Sequence, residues 1–175
     1  MIWLATLRQA DICPSGSVSA AHTDYVTIKI SGSQLNRFMP GQGLEMADCQ
    51  ASTNYVLKLR AKTSDFPTTP DTGPHFRLAP DIEVALSKQN IKVIIRARAS
   101  AHAGAKAFAA NYFTGPEGAS GWKKFALTDT YEDHMFDYTV PAANQDRGVD
   151  FLGIRPLVEE GANGFEIESV TLRRQ

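Results

Sequence analysis

Residues 91 to 100 alternate between an apolar set and a mostly polar set of side chains, a pattern that suits an extended strand and not a helix. One set is Ile91, Val93, Ile95, Ala97 and Ala99, and the other is Lys92, Ile94, Arg96 and Arg98. A helix would scatter both sets around its circumference, whereas a pleated strand separates them onto two faces. The segment is therefore predicted to be a β-strand whose first set packs into a core.

Further strand-like segments follow this pattern at short intervals along the chain. They cover residues 25–30, 55–62, 105–114, 122–127, 135–140, 149–154 and 165–172. Glycine, proline and an Asn163-Gly164 pair punctuate them, as expected for turns. Only Asp81 to Gln89 has a helix signal, and residues 65–74 contain three prolines and are predicted to form a long loop. The residues indicate an all-β sandwich or barrel with little helix.

Length and charge narrow the class of protein. The 175 residues fit one domain spanning 1–175. Eighteen basic and nineteen acidic residues leave a net charge of −1, which argues against a nucleic-acid partner because such proteins carry a basic excess. No apolar run approaches the ~18 residues of a membrane span. The start, Met1 to Leu7, is too short for a signal-peptide core, so we expect a cytoplasmic protein if Met1 is the native start and a secreted or surface-associated one otherwise.

The two cysteines leave two alternatives open. Cys13 and Cys49 are separated by 36 positions, a spacing that fits no zinc site. They are either free thiols or the two halves of one disulfide.

Six strand motifs from residue 55 onward occur in an order that resembles a known group. They run from Tyr55 to Ala61, Ile91 to Arg98, Gly121 to Phe125, Phe136 to Pro141, Asp150 to Pro156 and Gly164 to Leu172. Together they resemble the carbohydrate-binding-module-like, galactose-binding-like jelly rolls, and residues 1–50 match that group only loosely. The resemblance implies an antiparallel two-sheet β-sandwich (jelly roll) that is commonly non-catalytic. It also implies a sugar bound on a concave sheet or at loop tips and, in many members, a structural calcium ion.

The outward positions of the predicted strands supply a candidate sugar site. They are Arg96, Arg98, Asn111, Trp122, Lys124, Asp137 and Arg155. An indole ring can cover the C–H face of a sugar, while planar polar groups take its hydroxyls. The basic residues of this set would favour anionic glycans. The alternative is that Trp122 packs in the core or at an edge and that the charges are only solvated.

The acidic residues and histidines supply candidates for a calcium site and for a catalytic site. Glu168 with Asp24 or Asp48 could supply oxygen ligands for calcium if the first and last strands pair. His22, His75, His102 and His134 have no metal-ligand spacing, and His134 is expected in a surface turn. The acid pairs Glu159-Glu160 and Glu166 with Glu168 could suggest glycoside hydrolysis, but no motif indicates an enzyme.

The sequence thus predicts a non-catalytic protein that binds an oligo- or polysaccharide. A structural, adhesion or spike-like subunit is the alternative, and a hydrolase or lyase is a third class. The sequence does not specify the oligomeric state.

Overall fold

A computed structural model describes residues 17–18, 24–46, 56–67, 69–143 and 149–175. These residues form two β-sheets that pack face to face around a single apolar core. The predicted antiparallel two-sheet sandwich is confirmed, and helix is confined to short segments. Cys13, Cys49, His22 and Asp48 lie outside the described residues.

The first layer is a five-stranded sheet. Its strands are β1 (Ser17–Val18), β5 (His75–Leu78), β7 (Ala107–Phe113), β8 (Lys123–Ala126) and β10 (Phe151–Pro156). They lie in the order β1-β5-β10-β7-β8. The pairings are antiparallel except for β1, which runs parallel to β5.

The second layer is a six-stranded sheet. Its strands are β2 (Thr27–Ser31), β3 (Leu44–Met46), β4 (Leu57–Ala61), β6 (Asn90–Ala99), β9 (Glu132–Thr139) and β11 (Gly164–Arg174). Five of them lie in the order β3-β4-β11-β6-β9, and β2 pairs with β11. β11 can hold both β2 and β4 on one edge because β4 pairs with its first half and β2 with its second.

The predicted helix signal after Pro80 is confirmed as helix α1 (Pro80–Leu86). Proline at the first helical position lacks only an N–H that would have no intrahelical partner there. The helix links β5 of one sheet to β6 of the other. Two 3₁₀ helices, Gly32–Arg37 and Gly115–Glu117, complete the helical segments of the described chain.

The apolar faces of the two sheets meet in the core, as the alternation predicts. Ile91, Val93, Ile95 and Ala97 are fully buried. Aromatic pairs connect the layers: the rings of Phe108 and Phe165 stack at 6.0 Å between centroids, and those of Tyr112 and Tyr138 lie 5.5 Å apart. Strands of both sheets contribute to this core.

The observed strands differ from the predicted ones at β3, β5 and β9. β3 and β5 were not predicted because three or four residues are too few to display a period of two. β9 begins at Glu132, before the predicted start at residue 135. The surface turn predicted for His134 is therefore wrong, since its side chain faces inward and contacts the rings of Phe108 and Phe125.

Burial lowers the pKa of two histidines in the described part of the chain. His75 and His134 are 3% and 8% exposed, and loss of water around each ring lowers its pKa. His75 Nδ1 lies 2.7 Å from the carbonyl oxygen of Gly73. His134 Nε2 has no hydrogen-bond partner among the described residues. Protonation of His134 would place a charge in the core beside the rings of Phe108 and Phe125.

We therefore expect the free energy of unfolding to fall as the pH drops from about 6.5 toward 5. Below the ordinary histidine pKa, the unfolded chain binds protons that the folded chain accepts less readily. This stability is fully present above pH ~6.5 and is lost at up to ~1.4 kcal/mol per pH unit for each histidine. Urea unfolding at several pH values measures the slope.

Replacing His134 alone separates its contribution to the pH dependence of the unfolding free energy from that of His75. His134→Phe is expected to flatten the slope, whereas His102→Gln, in an exposed loop, is expected to leave it unchanged. Equal slopes in the wild type and His134→Phe would contradict the assignment.

Candidate functional site

The seven residues predicted to share one surface are divided between the outer faces of the two sheets. Arg96, Arg98 and Asp137 belong to β6 and β9 of the six-stranded sheet, and Asn111, Trp122, Lys124 and Arg155 lie on or beside β7, β8 and β10 of the five-stranded sheet. The outer faces of a sandwich point in opposite directions, so these residues cannot contact one ligand together. The expectation of a single surface is wrong, because alternation shows which side of a strand faces outward and not which sheet it joins.

Four ion pairs link charged side chains on the outer face of the six-stranded sheet. They are Arg98–Glu166 at 2.6 Å, Lys92–Asp137 at 2.9 Å, Arg96–Glu168 at 3.3 Å and Arg96–Asp133 at 3.4 Å. The hydrogen bond from Lys92 lowers the pKa of Asp137. These groups neutralise one another across β9, β6 and β11. This face therefore has little unpaired charge to offer a ligand through Arg96, Arg98 or Asp137.

Tyr131 contacts both members of the Arg98–Glu166 ion pair. It was not among the predicted site residues. Its hydroxyl donates to Glu166 Oε2 at 3.0 Å, and Arg98 Cζ lies 4.5 Å from its ring centroid. Burial, together with the Glu166 carboxylate, raises the pKa of Tyr131. Tyr131 lies 35 positions from Glu166, so no local pattern could have predicted the contact.

Aromatic rings lie on the outer face of the five-stranded sheet. Phe113 and Trp122 meet edge to face with centroids 5.9 Å apart. A Cβ atom at Gly153 would lie 3.1 Å from atoms of both rings. Glycine at this position therefore lets the two rings lie close against β10. Both aromatic side chains remain partly exposed.

The aromatic surface continues across the sheet toward β5. Phe151 is opposite Phe113 on one side and Arg77 on the other. The rings of Phe151 and His75 contact edge to face at 5.1 Å. We call His75, Phe113, Trp122 and Phe151 the aromatic strip; it crosses three neighbouring strands, a width of ~10 Å.

A hydrogen-bonded turn positions Trp122. The Ser120 hydroxyl accepts the Tyr112 N–H at 3.0 Å and donates to Asn111 Oδ1 at 3.2 Å. Gly121 follows with φ of 79°, a conformation that favours glycine. Asn111 is on the outward side of β7 as predicted but is only 4% exposed. Its amide thus supports the turn that carries Trp122.

Arg155 lies against the indole ring. Its Cζ atom is 4.0 Å from the Trp122 ring centroid, a distance suited to a cation–π contact. Partial burial lowers the pKa of Arg155, although a guanidinium stays charged at any physiological pH. Arg155 also lines a cavity of about 360 Å³ with Ser64, Asp65 and Phe66.

Lys124 and Arg155 lie in one row that crosses the neighbouring strands β8, β7 and β10. Arg155 pairs with Ala109, and Ala109 pairs with Lys124 on the next strand. Residues directly opposite in a ladder point to the same side of the sheet, so both cations face outward. Of the predicted set, Trp122, Lys124 and Arg155 are therefore brought together, with Asn111 beneath them.

The predicted calcium ligands are far apart. In the β2–β11 ladder Ser31 pairs with Ser169 and Thr27 with Arg173. Glu168 therefore lies at one end of β2, and Asp24 lies beyond the other, so the length of β2, ~13 Å from Thr27 to Ser31, separates them. The prediction that Glu168 and Asp24 share an ion is wrong, because strand pairing does not bring these two positions together.

Each predicted calcium ligand already has protein partners. Glu168 pairs with Arg96, and the backbone N–H groups of Val26 and Thr27 lower the pKa of Asp24. Among the described residues, no group of three His, Cys, Asp or Glu side chains is arranged to hold a metal. Structural calcium itself stays a prediction.

Three of the four acids that could suggest hydrolysis form ion pairs. Glu166 and Glu168 pair with arginines, and Glu159 Oε2 lies 3.0 Å from Lys106 Nζ. These three carboxylates are therefore held by cations of the protein itself.

Comparisons with known proteins bear on the fold. No protein-family model and no curated protein matches this chain. Among solved structures, the chain is similar to the CBM22-2 xylan-binding domain from Paenibacillus barcinonensis, with a TM-score of 0.51, 13% identity, and coverage of 79% of this chain and 91% of that one. The tandem CBM22-1-CBM22-2 structure from the same organism gives a TM-score of 0.53, 12% identity, and coverage of 79% and 46%.

These similarities show the fold alone, since the identities are low. Together with the two sheets, they show a jelly-roll fold similar to that of carbohydrate-binding modules. The resemblance expected from the strand motifs is confirmed at this level. The helices of the described residues are all too short or too polar to cross a bilayer.

Proposed function

We propose that this protein is a non-catalytic module that binds an oligo- or polysaccharide on the outer face of the five-stranded sheet. The observation that carries the proposal is the aromatic strip, and in particular the partly exposed Trp122 and Phe113 rings lying over Gly153. Aromatic rings held against a sheet cost little conformational entropy on binding, because they are already ordered.

The chemistry of the strip suits a sugar better than a purely apolar ligand. Pyranose rings present C–H faces to an aromatic ring and hydroxyls around their edge. Here aromatic rings lie beside the outward cations Lys124 and Arg155, which can donate hydrogen bonds to hydroxyl oxygens. The opposite sheet offers no comparable aromatic strip among its described residues, and its Lys92, Arg96 and Arg98 side chains are engaged in ion pairs.

The similarity to a structure named a xylan-binding domain supports the choice of the first ligand to test. Xylan is therefore the first probe, together with other soluble plant, algal and bacterial polysaccharides. The fold similarity does not select among these sugars.

Trp122→Ala is expected to weaken binding to the best polysaccharide by about tenfold or more, since losing an aromatic contact costs ~1–3 kcal/mol. Affinity electrophoresis and calorimetry measure the change. The control is Met135→Ala, which removes an apolar side chain that is 51% exposed on the other face.

Two results would count against the proposal. The first is equal retention of wild type and Trp122→Ala on every polysaccharide. The second is a dimer, seen by light scattering, that Trp122→Ala dissociates, because the strip would then be the assembly surface of a structural subunit.

A further inference from the structure

The outer face of the five-stranded sheet carries basic residues and lacks acidic ones at its outward positions. The outward basic side chains are Arg77 on β5, Lys124 on β8 and Arg155 on β10. No aspartate or glutamate occupies an outward position of the described residues of β5, β7, β8 or β10. On the six-stranded sheet, the outward cations Lys92, Arg96 and Arg98 instead form ion pairs with acids of neighbouring strands.

These three cations form no ion pair with any described residue. The ion pairs near the sheets involve Lys92, Arg96, Arg98 and Lys106 instead. Asp65 lines the same cavity as Arg155, but the two side chains form no ion pair. Exposed cations gathered on one face without acids attract an anionic ligand.

The contact with Trp122 leaves part of Arg155 open to a ligand. Its Cζ atom lies 4.0 Å from the Trp122 ring centroid, and the side chain remains partly exposed. The N–H donors of a guanidinium lie in its plane and project from its edge. A planar carboxylate can accept two such hydrogen bonds side by side, which a single sugar hydroxyl cannot.

We infer that the ligand of this surface is an acidic glycan whose uronate carboxylate binds the edge of Arg155 beside Trp122. This inference rests on the proposed function and adds the chemical class of the sugar. Lys124, in the same row, and Arg77, at the other end of the strip, are placed to bind further carboxylates along the chain.

The experiment compares acidic polysaccharides with their own carboxyl-reduced forms. The probes are polygalacturonate, alginate and glucuronoxylan, each before and after reduction of the carboxylates to primary alcohols. Reduction keeps the sugar backbone and removes the charge. We expect at least one acidic form to bind, and its reduced form to bind about tenfold to hundredfold more weakly, as for loss of a charge-assisted hydrogen bond.

Substitutions at Arg155 locate the effect on the protein. Arg155→Gln is expected to reproduce most of the loss seen on carboxyl reduction, and to narrow the difference in affinity between the native and reduced forms. Arg155→Lys keeps the charge without the planar fork and should recover part of the affinity. The matched control is Arg60→Gln, which removes an exposed arginine from the outer face of the six-stranded sheet and should leave binding unchanged.

The outcomes separate this inference from the proposed function. If reduced and native polysaccharides bind equally and Trp122→Ala still abolishes binding, the acidic-ligand inference is overturned and the sugar-binding proposal stands. If no polysaccharide binds in either form, both fail. Equal losses in Arg60→Gln and Arg155→Gln, or equally tight binding of dextran sulfate, would mean nonspecific attraction of polyanions and would also overturn the inference.

Discussion

Phe108→Ala is expected to lower the free energy of unfolding by about 3–5 kcal/mol. The Phe108 side chain is fully buried on β7. Its ring centroid lies 5.3 Å from that of Phe125 on β8, 5.0 Å from His134 on β9 and 6.0 Å from Phe165 on β11. Truncation would therefore leave a cavity that both sheets share, and neither sheet can close it alone.

Urea unfolding followed by tryptophan fluorescence or circular dichroism gives this free energy. Val26→Ala is the control, because Val26 is 45% exposed and should change stability by less than ~0.5 kcal/mol. A loss below ~1 kcal/mol in Phe108→Ala would show that the sheets do not pack around this ring.

Tyr112→Phe is expected to cost about 1–3 kcal/mol, the range for removing the hydrogen-bond partner of a buried polar group. The Tyr112 hydroxyl donates to Asp150 Oδ2 at 2.7 Å. Both residues are fully buried, and the bond joins β7 to the start of β10 inside the core. The substitution removes one donor from a carboxylate that water does not reach.

Tyr138→Phe provides the matched comparison for this prediction. The Tyr138 hydroxyl lies 3.3 Å from Thr114 Oγ1, a neutral partner, and its side chain is partly exposed. Its loss should cost ~1 kcal/mol or less. If the two substitutions destabilise the protein equally in urea unfolding, the buried carboxylate is not a special partner of Tyr112.

Strand positions could be predicted from local pattern because burial imposes a period of two. Alternation in residues 91–100 correctly assigned Ile91, Val93, Ile95 and Ala97 to the core, and it placed Arg96 and Arg98 outside. The same reasoning failed for β3 and β5, which are too short to show a period.

The candidate site could be predicted only in part. Trp122 and Lys124 are neighbours in the chain, so a local pattern could group them. Arg155 reaches Trp122 only because β10 pairs with β7 and Trp122 follows the turn out of β7. The aromatic strip also depends on Gly153, whose role is visible only once Phe113 and Trp122 lie over it.

Residue order was therefore sufficient to establish the strands, their inward faces and the sandwich class, since these follow from apolar burial along a pleated chain. Long-range pairing decided which outward residues meet: it put Arg96, Arg98 and Asp137 among their ion-pair partners on one sheet and left Trp122, Lys124 and Arg155 together on the other. The physical reason is that alternation is a property of each strand alone, whereas a binding surface is made by strands that become neighbours only when the sheets form.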